Sequence, residues 1–325
     1  MPEAQPPLIA GFDAGQTHTT CRLAILRSDG SWQALAEGQG SGVTHLAAAG
    51  GAERFQQALR SSLTAALAAA QLHPTTSLKA AGIGASGIEA GSLVQREATA
   101  LVAQVLQLAS EHAVVVGDER TALAGAFGGG AGILVISGTG CIAVGSNSQG
   151  QMHRCGGWGW LLDGAGSAMD IGRDGLALTL EMADGRRSDS PLRARIWAGL
   201  GLDPGDPQAP QAIKARVVAP DFGAAGFARL APLVAAAAAE GDPAAAAVVE
   251  RSAQALARMV ATIGQRLALE NPPVWPLGGA LEHLELLRQR FAAALALHCP
   301  GARLEQAAGD GCSGALALAR LCLEP

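Results

Sequence analysis

No two of the six cysteines (Cys21, Cys141, Cys155, Cys299, Cys312 and Cys322) form a CxxC pair. That scatter suits neither a zinc site nor a disulfide framework, and reduced thiols in a cytoplasmic protein are the simplest reading. Charge is sparse too. Only 16% of residues carry it, and a net charge of −5 leaves no basic footprint for nucleic acid, Arg186 and Arg187 being too few to change that. Long apolar runs are missing: alanine-rich stretches such as Leu233–Ala239 are far too short to span a bilayer. The opening MPEAQPPL lacks the charged start and apolar core of a secretory leader. What is there describes a well-buried globular chain with no membrane partner: 49% of residues are hydrophobic, and 325 residues exceed what one core usually accommodates, so two domains are expected.

The most informative stretch is Ile133 to Gly145, ILVISGTGCIAVG: an apolar strand, a Ser-Gly-Thr-Gly turn and a second apolar strand. Val135 and Ile136 suit a buried, pleated strand. Gly138 and Gly140 open the turn to backbone angles denied to other residues, so that N–H groups and the Ser137 and Thr139 hydroxyls can face phosphate oxygens. A tight structural hairpin explains the pattern equally well. A second copy changes the balance. Leu8 to Leu26, LIAGFDAGQTHTTCRLAIL, again reads strand, polar turn, strand, with Asp13 at the end of the first strand. A carboxylate there can hold Mg²⁺ through water, or it can cap the turn. Two such devices in one chain favour a nucleotide cleft.

Strand-like and helix-like runs alternate throughout, which predicts α/β layers. Strands are expected at Leu8–Phe12, Arg22–Arg27, Trp32–Ala36, Ala80–Ala85 and Ala113–Val116, with helices over Ala47–Ala70 and Val94–Ser110. Strands at Ile133–Ser137, Ile142–Ser146 and Met152–Cys155 then repeat the opening theme, an internal duplication. Pro-rich Asp203–Pro210 reads as a surface connection. Pro243 opens a long helix to about Leu269 with Asp242 as N-cap. PPVWPLGGALEHLELLRQRF reads as a strand, a Gly278-Gly279 turn and one amphipathic helix whose face is Leu281, Leu284, Leu287 and Phe291. The last helix, Gly314–Leu321, is apolar on most faces and is expected to be buried against the first domain.

Asp13-Ala14-Gly15-Gln16-Thr17, Ser137-Gly138-Thr139-Gly140 and Gly278-Gly279-Ala280 resemble the two phosphate motifs and the adenosine motif of the sugar kinase, actin and heat-shock chaperone superfamily. Arg154-Cys155-Gly156-Gly157-Trp158-Gly159, followed by Ser167-Ala168, is similar to the N-acetylglucosamine kinase branch of the BadF/BadG-type ATPase family. The resemblance covers nearly the whole chain. It implies an α/β fold of two ribonuclease-H-like (actin-like ATPase) domains around a central cleft: residues 1–117 plus about 307–325 as a small N-terminal domain, and 118–306 as the nucleotide-binding domain. It also implies ATP and Mg²⁺ as cofactors, an amino sugar as substrate, phosphorylation at the 6-hydroxyl, and room for a homodimer.

Site roles follow from the same resemblance. Asp118, which ends a short apolar strand and precedes a helix, matches the catalytic base, although an aspartate there is also a good N-cap. Gly15, Gln16, Thr17, Ser137, Gly138, Thr139 and Gly140 would cradle phosphates, with Mg²⁺ near Asp13. Gly278 and Gly279 would let adenine lie on the backbone; alone, they read as a turn leading into a helix. Thr44, Ser86, Cys155, Gly156, Gly157 and Asp163 fall to the sugar. Trp158 can pack beneath a sugar ring, but Trp more often belongs to the core, which is the favoured reading.

Two departures from the family pattern lie on the sugar side. Leu162-Asp163-Gly164-Ala165-Gly166-Ser167 carries its acid one position earlier than the family's Gly-Asp-Glu, and Thr44 stands where the family tends to have Asn. These leave a kinase for glucosamine or another hexosamine, or a sugar sensor without turnover, as alternatives. A dehydratase-activating ATPase is a further one, though the scattered cysteines do not suggest its iron–sulfur cluster.

Overall fold

The computed structural model describes residues 6–323, in two compact units. One runs to Gly130 and resumes at Gln306; the other is Ala131–Glu305. The leader reading of MPEAQ and the outer limits of the expected first domain lie outside the described residues. The first unit holds β1 (Leu8–Ala14), β2 (His18–Leu26), β3 (Trp32–Ser41), α1 (Gly51–Ala69), β4 (Ala80–Ala85), α2 (Leu93–Leu106), β5 (Ala113–Gly117) and α3 (Asp118–Phe127). Its sheet has the order β3-β2-β1-β4-β5: β2 runs antiparallel to β1 and β3, while β4 lies parallel to β1 and β5. Strands β1 and β4 are almost wholly buried, and Phe12, Leu23, Phe55, Leu59 and Ile83 fill the core between sheet and helices.

The second unit begins with β6 (Gly132–Ser137), β7 (Cys141–Ser146) and β8 (Met152–Gly156). Helices α4 (Ala168–Ala183), α5 (Pro191–Gly199), α6 (Ala209–Val217), α7 (Gly223–Ala228), α8 (Ala231–Ala239) and α9 (Pro243–Arg266) follow, then β9 (Pro273–Leu277), α10 (Gly279–His283), α11 (Glu285–His298) and β10 (Arg303–Leu304). Its sheet order, β10-β9-β6-β7-β8, reproduces that of the first unit strand for strand, with the same pattern of parallel and antiparallel pairs. The duplication inferred from the two strand–turn–strand stretches is therefore one of topology, and both halves are ribonuclease-H-like.

The terminal helix α12 (Gly311–Leu321) returns to the first unit, where Leu316 and Ala319 pack with Ile9, Ala24 and Ala80. Asp310 caps it, its carboxylate accepting from Ser313 N–H at 2.9 Å. Asp242 likewise caps α9 by accepting from the Ala244 and Ala245 N–H groups. Two expectations change. The single amphipathic helix after β9 is two, α10 and α11, broken at Leu284, although Leu281, Leu284, Leu287 and Phe291 are all buried as its face required. And α3 belongs to the first unit, so the chain passes to the second at Gly130 and Ala131, whereas the sequence reading began the second domain at residue 118. Among the described residues no single helix is long and apolar enough to cross a membrane.

Candidate active site

In the first unit β1, β4 and β5 run parallel and end in register. Asp13 lies beside Gly84 and Val116, and the next row is Ala14, Ala85 and Gly117. One step further the chain leaves the sheet at Gly15, Ser86 and Asp118. Strand β3 points the same way, so the loop that follows it, with Thr44, opens at the same edge. Loops beyond the carboxyl ends of parallel strands are where open α/β sheets bind ligands, and all the first-unit residues singled out from the sequence converge there.

Short contacts tie these loops together. Gly15 N–H donates to His18 O at 3.1 Å, closing the turn that exposes Gln16 and Thr17. Val43 N–H donates to Gly15 O at 3.0 Å, so the Thr44 loop backs that turn. Ser86 N–H extends the ladder to Ala14 O at 3.1 Å. Asp118 opens α3, and its carboxylate accepts from Glu119 N–H at 3.0 Å. Burial pushes the Asp118 carboxyl above its ordinary value, against hydrogen bonds from Glu119 and Ser86 that pull it down. Asp13 is raised as well, by burial first and then by the negative charges of Asp118 and Asp310. Two desolvated carboxylates held near one another disfavour ionisation unless a cation or a proton donor joins them.

The second unit repeats the arrangement. β6 and β9 are parallel and end with Ile136 beside Leu277, so the 138–140 turn and Gly278-Gly279 leave the sheet side by side. Gly278 has φ 99°, and a β-carbon there would lie 2.6 Å from the Ser137 carbonyl oxygen, so only glycine lets the two turns touch. Strand β8 ends at the same edge, with Gly156 opposite Ile142. Gly156 and Gly157 both have positive φ, and Arg154 braces them, donating to the carbonyls of Gly156 (3.1 Å) and Gly157 (2.6 Å). Asp163 lies across from Gly156, where a β-carbon would meet its Oδ2 at 3.3 Å.

Several assignments change in detail. Ser137 is fully buried and donates its hydroxyl to Gly166 O at 2.7 Å, so it builds the turn and has no hydroxyl left for a phosphate. Gly138 is likewise engaged, its N–H bonded to Gly140 O and its carbonyl accepting from Ala168 N–H, which leaves Thr139 and Gly140 exposed at the tip. Cys155 packs on the apolar core of the second unit, and burial raises its thiol. Trp158, favoured as a core residue, is 65% exposed, with the Arg154 guanidinium 4.9 Å above its ring. Two of the positions expected to take a sugar, by contrast, carry buried polar atoms without a partner: Thr44 Oγ1 and Asp163 Oδ2. Such orphans are costly and call for a ligand or a water.

Sequence reasoning gave no role of their own to Arg154, His45, Arg22 and Gly311, although Arg154 stands in the motif that carries the resemblance. His45 directly follows Thr44 and lies against Gly87, where a β-carbon would meet its ring at 3.0 Å; adjacency to Thr44 was the available signal. A cavity of about 810 Å³ between α4 and α9, lined by Asp174, Met182, Asp189, Asp242 and Arg251 among others, shares no residue with the sheet edge.

Comparison with known proteins identifies relatives of the chain. The chain is 29% identical over 209 residues to the N-acetylmuramic acid/N-acetylglucosamine kinase of Clostridium acetobutylicum, covering 64% of this chain and 67% of that protein. It is 29% identical over 191 residues to the N-acetyl-D-glucosamine kinase of Dictyostelium discoideum; that match covers 58% of this chain and spans 59% of the relative's length. A crystal structure of a candidate N-acetylglucosamine kinase from Chromobacterium violaceum superposes over 99% of this chain and 100% of its own, with 30% identity and a TM-score of 0.71. The profile of one family matches residues 10–296, nearly the full length, and the chain belongs to it: the BadF/BadG/BcrA/BcrD ATPase family.

Proposed function

We propose that this chain is an ATP-dependent kinase that transfers the γ-phosphoryl group to the 6-hydroxyl of an amino sugar, N-acetylglucosamine before others. The observation that carries the reading is Asp118: a buried carboxyl whose proton affinity is raised, one residue beyond the end of β5 and bonded to Ser86. Such a group is suited to take the proton of an attacking hydroxyl. Phosphoryl transfer asks little more of a protein than placement and charge neutralisation. The Gly15–Thr17 and Thr139–Gly140 turns would hold phosphates, and Gly278-Gly279 would lie under the base. Thr44, Ser86, Gly156, Gly157 and Asp163 would take the sugar, the orphaned oxygens of Thr44 and Asp163 finding partners in its hydroxyls.

Asp13 is the residue suited to Mg²⁺. Its surroundings are anionic and largely desolvated, and no group of three or more ligating side chains exists among the described residues. One carboxylate acting through water, with phosphate oxygens completing the shell, is how Mg²⁺ is commonly held. The ion would neutralise charge on the transferred group. Six unpaired thiols suit a reducing cytoplasm.

ADP release, measured across N-acetylglucosamine, N-acetylmuramic acid, glucosamine and glucose with a sugar-free control, tests the reading. Sugar-dependent release that is fastest with an N-acetylated sugar is expected. Sugar binding with no release above the control would instead identify a sensor.

A further inference from the structure

The place of the Asp13 carboxylate has a steric cause at the far end of the chain. A β-carbon built on Gly311, the first residue of α12, would stand 2.7 Å from Asp13 Oδ2 and 2.9 Å from its Cγ, and its three nearest neighbours are all Asp13 atoms. Gly311 does not have a positive φ, so other residues can adopt its backbone; what excludes a side chain is Asp13. The helix cannot retreat to make room. Arg22 grips Asp310 with two hydrogen bonds, of 2.8 and 2.6 Å, and also bonds Glu37 and Ser313, while Leu316 and Ala319 are buried against the sheet.

We infer that Gly311 is a positioning residue for Asp13. The bare first turn of α12, fastened by Arg22 and Asp310, leaves the space in which the Asp13 carboxylate stands at the sheet edge. A methyl group at 311 therefore displaces a side chain that can rotate, not the backbone, so the fold survives and the carboxylate turns aside. The functional half of this inference rests on the kinase reading, in which Asp13 serves Mg²⁺.

The test compares the parent, Gly311→Ala, Asp13→Asn and the double variant by titrating Mn²⁺ onto the protein with ADP, read by electron paramagnetic resonance. Gly311→Ala is expected to bind Mn²⁺ about 10–100-fold more weakly, the usual effect of misplacing a metal's supporting groups, with an unchanged melting temperature. The double variant is expected to bind no more weakly than Asp13→Asn alone, since Gly311 acts through Asp13. A crystal of Gly311→Ala should show Asp13 in a different rotamer on an unmoved β1. Parent-like Mn²⁺ binding, a second full loss on top of Asp13→Asn, an unmoved Asp13, or loss of the fold would each overturn the inference. Parent protein that holds no Mn²⁺ with ADP would overturn the kinase reading and the functional half with it, and the crystal alone decides the steric half.

Discussion

Asp13 and Asp118 illustrate a conflict settled at single residues. Each is a carboxyl that folding makes harder to ionise, Asp13 through burial and two negative neighbours, Asp118 through burial. A carboxyl whose pKa is raised on folding contributes its full stability below its unfolded value of about 4 and loses it as pH rises through the folded value. At neutral pH, Asp13 is therefore destabilising. Asp13→Asn should melt at or above the parent temperature at pH 7, the difference closing as the pH falls to about 4; a variant less stable at pH 7 contradicts the argument. Thr44 makes the same point with a hydroxyl. Its buried Oγ1 lacks a partner, so Thr44→Val should keep or raise stability, by about 1 kcal/mol at most, while raising KM for the sugar roughly tenfold. Unchanged KM would remove Thr44 from the sugar site.

At the scale of elements, α12 is held by charge as well as by packing. Arg22 draws the Asp310 carboxyl down to about 2 through hydrogen bonds and charge, with help from the Ser313 N–H and hydroxyl, outweighing partial burial. A depressed carboxyl stabilises above its unfolded value of about 4, and that contribution is lost as pH falls through about 2. Arg22→Ala should therefore cost about 1 kcal/mol near neutrality, a discounted figure because Asp310 is half exposed. It should also flatten the acid side of the stability curve between pH 4 and 2, as urea melts at several pH values would show. Equal slopes would contradict it.

Elements were legible where their pattern was long. Asp242 before Pro243 marked α9, and the apolar runs on either side of the Ser-Gly-Thr-Gly turn marked β6 and β7. The break at Leu284 was not, because it preserves the apolar spacing across two helices. Nor was β10, whose two residues, Arg303 and Leu304, are both exposed and show no strand pattern.

For the whole molecule, the duplication was visible in outline because both halves open with a strand, a glycine turn and a strand. Its proof, the shared order of two sheets, depends on pairings made far apart in sequence. The candidate site residues were placed by the same route: Gly15, Ser86 and Asp118 lie far apart along the chain, yet each directly follows a strand that ends at one edge, and Thr44 lies in the loop after β3 at that edge. What sequence could not convey was direction. Ser137 turns inward to Gly166, and Trp158 turns outward beneath Arg154. The burial of α12 was foreseen from its apolarity and its return to the first unit from the family resemblance, whereas its contact with Asp13 arises only from packing in three dimensions.

The measurement that bears most directly on the central claim is kcat for N-acetylglucosamine-dependent ADP release by Asp118→Asn. The account predicts a fall of about 10²–10⁴-fold, the usual worth of a general base, with the sugar KM within a few-fold of the parent. A variant that turns over within a few-fold of the parent would contradict it.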